Sequence, residues 1–219
     1  MATAWTRGLR DLRRRRPRRK AADDVDWRMD TFIVIDLETT GLDPRRDHIV
    51  SYGAVPIRGG RVKTAESVYG LVHVPGDVPP SSVKFHNLRT QDLEAAPPLA
   101  ECVAVLDDLV GDHPVVAHCA WIERSFLRKA FRRSYLPFAS PIVDTAVLAR
   151  HILDVDIGPD QAVSLEYAAN ALGLPVHSPH HALGDAVTTA SLFIALAGQL
   201  EHGKALTTAK LLELSEARP

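Results

Sequence analysis

Cysteine is nearly absent: the chain has two, Cys102 and Cys119, and they form neither a CxxC pair nor a ligand cluster. That excludes a disulfide framework and a structural zinc site, and both residues are expected as reduced thiols. Long apolar runs are also missing. None approaches the roughly 20 residues of a bilayer-spanning helix, and the N-terminus lacks a signal peptide's apolar stretch. These absences predict a cytoplasmic protein with no membrane association. A disordered chain would be poor in apolar residues and carry a large net charge. Here 46% hydrophobic and 24% charged residues, with a net charge of −1 over 219 residues, describe one domain able to bury a substantial core.

The small net charge conceals two opposite ones. In the first twenty residues Arg7, Arg10, Arg13 to Arg16, Arg18, Arg19 and Lys20 stand against Asp11 alone, a local charge of +8. Removing them from the totals of 26 basic and 27 acidic residues leaves 17 against 26, or −9, for the remainder. A run so basic, without helical apolar spacing, is expected to be disordered and suits a polyanion such as nucleic acid or an acidic surface, the alternative being a solvated tail with no dedicated partner. The expected organisation is a basic tail at 1–26, a folded domain at 27–200 and an extension at 201–219 with a short helix through Leu206 to Leu214.

Hydrophobic patterning predicts an α/β fold. Thr31-Phe-Ile-Val-Ile-Asp36 is continuous and rich in β-branched residues, the mark of a strand buried on both faces. Two further β-rich segments, Ile49 to Ile57 and Val62 to Val74, flank Arg58-Gly59-Gly60-Arg61, a hairpin signal. Pro75 to Pro80 reads as a loop. Helical spacing from Leu99 to Val110 ends at Gly111, a short strand covers Pro114 to His118, and an amphipathic helix runs from Trp121 to Arg132. A brief apolar segment at Ile142-Val143 precedes helices near Thr145 to Ile152 and Ser164 to Leu172. A last helix is expected to open at Ser178-Pro179.

Asp36 and Glu38 end the buried strand. Side chains alternate along a strand, so both point to one face, roughly 7 Å apart along the chain. Two acids at the end of a core strand need a cation. They belong to Asp36-Leu-Glu-Thr-Thr-Gly-Leu-Asp-Pro44, which is joined downstream by Val115-Val-Ala-His118-Cys119-Ala-Trp121-Ile122-Glu123-Arg-Ser-Phe126-Leu127 and by His180-His181-Ala-Leu-Gly-Asp185-Ala186.

Together and in this order, the three segments resemble the motifs of the DEDDh exonucleases, the DnaQ-like proofreading family of the ribonuclease H-like superfold. The resemblance covers approximately residues 31 to 200, with Asp144-Thr145 and Ser164-Leu165 also matching family positions. It implies a mixed five-stranded sheet flanked by helices and a 3′–5′ exonuclease acting on the 3′ end of single-stranded DNA or RNA. It also implies Mg²⁺ or Mn²⁺, two per site, held by Asp36, Glu38, Glu123 and Asp185. Four convergent carboxylates would otherwise force one another to protonate, and hard divalent ions with oxygen ligands remove that cost. Asp36, Glu38 and Asp185 would hold the catalytic ion, with Asp36 and Glu123 serving the second. His180 matches the general base, a task suited to an imidazole that titrates near neutrality. His181 would face solvent or support the cluster from outside, and His73, His118 and His151 are assigned no catalytic role.

The resemblance further places Thr39, Thr40, Gly41 and Leu42 against the 3′ nucleotide. Lys84-Phe85-His86-Asn87-Leu88 occupies the place of a family loop, which brings His86 toward the strand. Trp121 is available to stack on a base. The second motif departs from the family at Cys119 for Asn, Ile122 for Phe and Glu123 for Asp. Glu123 adds a methylene of about 1.3 Å, and active-site tolerance is nearer about 0.5 Å. A binding module with lapsed catalysis therefore stays open beside the DNA exonuclease; an enzyme of short RNA stays open because motifs that organise metals do not distinguish the sugar, as does a polymerase or other protein partner. An unremarkable alternative makes Glu123 an exposed helix acid paired with Lys129 or Arg128.

Overall fold

The computed structural model describes residues 25–153, 155, 162–201 and 205–216. Residues 1–24 of the expected disordered tail lie outside that range. Its last two residues, Val25 and Asp26, are paired: the Val25 carbonyl accepts from Thr208 N–H, and Asp26 bridges Thr207.

The apolar run at 31–37 forms β1 (Thr31–Thr39), which occupies the centre of a mixed sheet. On one side it pairs antiparallel with β2 (Ile49–Arg58), through a register in which Asp36 faces Gly53 and Glu38 faces Ser51. On the other side β5 (Val115–Ala117) runs parallel to β1, and β6 (Ile142–Asp144) runs parallel to β5. The outer edge of β2 is shared by β3 (Arg61–Val62) and β4 (Val68–Leu71). The strand expected over Val62 to Val74 is thus two pieces, separated by a 3₁₀ turn at Thr64–Glu66 and by an ion pair between Arg58 and Glu66. Gly59 and Gly60 carry the hairpin at φ 61° and 64°, a left-handed pair that β-carbons would resist.

Eight α-helices are present among the described residues: α1 (Pro80–His86), α2 (Thr90–Leu93), α3 (Leu99–Val110), α4 (Trp121–Arg133), α5 (Thr145–Leu153), α6 (Leu165–Ala171), α7 (Ala182–Leu200) and α8 (Thr208–Glu216). The sequence pattern marks six of them. It misses α1 and α2, whose few apolar positions make no periodic stripe over so short a span. The two faces of the sheet are buried separately. Phe32, Val34 and Val55 pack with α7 and its neighbours α5, α6 and α8, whereas Ile33, Ile35 and Ala54 pack with α3 and α4. By length and composition α7 would also pass for a membrane span, at a mean hydropathy of 1.3, but its apolar residues Phe193, Leu192 and Leu196 lie wholly inside this core.

The start of α7 corrects the sequence reading. Ser178 and Pro179 precede the helix, and His181 is the N-cap, its side chain accepting from Gly184 N–H at 3.4 Å. A tight turn, with Ser178 at φ 37° and His180 at φ 60°, sets this later entry. Gly53 then lets the helix end settle on the sheet, and Gly184 lets the preceding turn fold back against the helix. A β-carbon at Gly53 would lie 2.3 Å from Leu183 N, and one at Gly184 would lie 2.4 Å from the His177 carbonyl. Both obstacles are backbone atoms. Gly53→Ala is therefore expected to push the N-terminal turn of α7 off β2 and lower stability by about 1–3 kcal/mol. Thermal unfolding checks this, and an unchanged Tm would refute it.

Candidate active site

Period-two alternation puts Asp36 and Glu38 on the same face of β1 as Phe32 and Val34, the face that α7 covers. Asp185, one turn into α7, comes down onto them. Asp36, Glu38 and Asp185 each offer a carboxylate oxygen within 4.8 Å of the other two, and all three are partly accessible. Among the described residues none of these carboxylates forms a salt bridge with a lysine or arginine.

Burial first, and repulsion second, set their acidities. Burial, then the charges of Glu123, Glu38 and Asp185, raise Asp36 well above the ordinary carboxylate range. Burial and then Asp185 push Glu38 up to about 7. Burial raises Asp185 to about 6, while the backbone amide and charge of His180 pull it back. That amide donates to Asp185 Oδ2 at 2.9 Å.

Glu123 arrives from the opposite layer. It lies in the first turn of α4, whose apolar side packs on the other face of the sheet, so its carboxylate reaches over the end of β1 and stands outside the three-oxygen group. It is not an exposed helix acid paired with Lys129 or Arg128: it is buried at 2% exposure, and Oε2 has no hydrogen-bond partner. Burial, then Asp144 and Glu38, raise its pKa, opposed by its own amide and that of Leu37. A buried carboxylate with an unpartnered oxygen is costly unless a cation or proton is supplied. The donor set therefore fits hard divalent ions, being all oxygen and short of positive charge.

Several residues beyond the motif acids hold this arrangement. Asp144, at the end of β6, accepts from the backbone amides of Cys119, Ala120 and Ala146, which ties the start of α4 to the sheet. Cys119 has φ 57°, a left-handed conformation that asparagine tolerates better than most residues, which gives the family's Asn a physical reason. Its thiol is pushed up to about 12, first by burial and then by Asp144, Glu123 and Asp36. His181 is exposed and stacks on Tyr69 of β4 with ring centroids 4.4 Å apart while capping α7. His118 is a satisfied structural residue, bonded to Thr145 Oγ1 and the Val163 carbonyl.

The turn after β1 is organised by Asp47, which the sequence reading passed over. Its carboxylate accepts from Thr40 Oγ1 at 3.1 Å and from Asp43 N–H at 2.8 Å, and its carbonyl accepts from Lys129 Nζ. A β-carbon at Gly41 would come within 2.5 Å of that carboxylate. Thr39 Oγ1 donates to the Gly41 carbonyl, Thr40 is buried, and Leu42 stands 61% exposed, which removes core packing as its role. His86 is instead buried, Nδ1 accepting from Leu88 N–H. It still meets the backbone of Thr39, and its neighbour Phe85 also reaches the site, half exposed and with its ring centroid 5.7 Å from that of His180.

The raised acidity of Glu38 makes stability depend on pH in a definite direction. Its folded pKa, about 7, exceeds the ordinary 4.5, so the ionised form destabilises the metal-free fold above pH 7 and the penalty fades as pH falls toward 4.5. Glu38→Gln removes it. In EDTA the Tm advantage of Glu38→Gln over the wild type should be largest near pH 8 and vanish near pH 5. A constant advantage would count against the clustered-carboxylate account.

The geometry agrees with what similarity searches show. A family model described as an exonuclease matches residues 33–193. DNA polymerase III PolC-type of Thermotoga maritima is 30% identical over 201 residues, covering 91% of this chain and 14% of its own length. The DNA polymerase III subunit epsilon of Aquifex aeolicus is 30% identical over 173 residues, covering 78% of this chain and 82% of its own. Among solved structures, an E. coli exonuclease I complex with single-stranded DNA superimposes at a TM-score of 0.69 and 18% identity, over 80% of this chain and 42% of that one. Exonuclease X bound to 5′-overhanging duplex DNA gives 0.63 and 23%, over 84% and 99%. The chain thus spans a small part of the PolC-type relative and under half of the exonuclease I chain. With more than half its length matched by the family model, the chain belongs to this exonuclease family.

Proposed function

We propose that the chain is a metal-dependent 3′–5′ exonuclease that releases nucleoside 5′-monophosphates from a nucleic-acid strand, with single-stranded DNA favoured. The observation that carries this reading is the meeting of Asp36, Glu38 and Asp185 within 4.8 Å, beside a solvent-exposed His180 whose amide is bonded to Asp185. Asp36, Glu38 and Asp185 would hold one Mg²⁺ or Mn²⁺, with Asp36 and Glu123 toward a second. Bound there, such ions supply Lewis acidity that activates water and stabilises the leaving oxygen.

The chain's own residues do the rest. A ring nitrogen of His180 takes the proton of the attacking water and returns it to solvent, which its exposure permits. The Asp185 contact fixes the backbone that carries it. The turn at Thr39 to Leu42, braced by Asp47, seats the 3′ nucleotide, and exposed Leu42 presents an apolar surface to the terminal base. DNA is favoured because two similar folds were solved on it. Similarity to polymerase III chains supports a polymerase as a protein partner.

Matched 5′-labelled DNA and RNA single strands, incubated with Mn²⁺ or Mg²⁺, should shorten from the 3′ end, the DNA faster. Asp36→Ala should abolish this, and His180→Ala should slow it by about 10²–10⁴-fold. Binding without cleavage by the wild type would reassign the chain as a binding module, and faster loss of RNA would overturn the DNA preference. Glu123→Asp should keep activity within tenfold of wild type. A larger loss would mean that the pocket is shaped for the longer side chain.

A further inference from the structure

The helix that delivers Glu123 carries a second feature on its opposite side. Arg124, Arg128 and Arg132 follow one another at four-residue spacing, and Lys129 and Arg133 form an adjacent row. At 3.6 residues per turn these five cations cover the side of α4 away from buried Phe126, Leu127, Ala130 and Phe131. Trp121 falls within the same stripe, one turn before Arg124 and Ser125, and is 51% exposed.

Helix physics alone does not account for this pattern. Cations favour the last turn, which covers Arg132 and Arg133, but Arg124 sits in the first turn, where the helix dipole opposes it. Like charges at i, i+4 repel, and α4 has three such pairs, at 124 and 128, 128 and 132, and 129 and 133. Among the described residues none of the five is in a salt bridge. Burial and then neighbouring Arg133 lower the Lys129 pKa against the opposing charges of Asp47 and Asp43, and Lys129 Nζ donates to the Asp47 carbonyl. The stripe holds five of the 17 basic residues outside the first twenty, in a region with a net charge of −9.

We propose that this face of α4 is a tracking surface for the phosphates of a single strand leading to the carboxylate site, with Trp121 as a stacking platform for one base. The proposal rests on the exonuclease reading for the identity of the polymer. Its chemistry is the pairing used for single strands, a positive track with aromatic side chains for bases. The helix begins at the site, since Glu123 lies in its first turn. Its 13 residues extend about 20 Å, enough for several nucleotides.

The test is strand affinity measured by fluorescence anisotropy on a labelled 20-nucleotide oligothymidylate, with the full chain in EDTA so that no cleavage intervenes. The triple substitution Arg124→Gln, Arg128→Gln, Arg132→Gln should raise Kd more than tenfold at low salt and reduce the log–log salt slope by about 2. Trp121→Ala should weaken binding with no change in that slope. A control with equal charge loss, Arg58→Gln, Arg61→Gln, Lys63→Gln at the β2–β3 hairpin, should change Kd less than threefold. All variants retain residues 1–24, so that segment contributes equally. Affinity unchanged in the α4 triple variant, or lowered equally by the control, would overturn the proposal and leave the face to an acidic protein surface. A wild type that binds through α4 yet cleaves nothing with Mg²⁺ or Mn²⁺ would sink the exonuclease reading and leave this one standing.

Discussion

The site depends on one close approach, the backbone of Ala182 and Leu183 against Gly53. The register of β1 on β2 places Gly53 directly opposite Asp36, so the strand position that must lack a side chain is beside the acid that needs a partner from α7. That approach brings Asp185 among Asp36 and Glu38, and the same approach creates their repulsion. Packing and electrostatics therefore oppose each other here. Burial of α7 in the core holds together carboxylates that, left to themselves, would separate or take up protons.

Much of this was legible in the sequence, for identifiable reasons. The β1 run, the Gly-Gly hairpin and the helix closed by Gly111 rest on local chemistry, and each lies where its residues indicate. Asp36 and Glu38 sharing a face follows from alternation alone, whereas Asp185 and His180 were singled out only through the family resemblance of the segment that carries them. Gly53 was not legible, because an ordinary glycine in a strand gives no sign of which helix backbone it will admit. Asp47 was hidden similarly. Its work is done through contacts four and seven residues back, in a turn that already looked complete. The N-cap of α7 was misplaced because Ser178-Pro179 has the right residue types, whereas the turn through Ser178 and His180, both at positive φ, delays the helix to His181.

The departures in the second motif divide in two. Cys119 occupies a left-handed position that suits asparagine and keeps its shape through Asp144, so its cost is conformational. Glu123 changes reach. Its longer side chain stays buried near Asp36 and leaves an oxygen unpartnered, an arrangement sensible only where positive charge is provided.

The ends of the described fold have a consequence of their own. Trp27 N–H donates to the Leu206 carbonyl, Thr208 N–H to the Val25 carbonyl, and Thr208 Oγ1 to Asp30 Oδ2, so entry and exit of the chain are stitched side by side over α7. A unit whose two ends meet can be carried inside a longer polypeptide without parting them, at little entropic cost to its host.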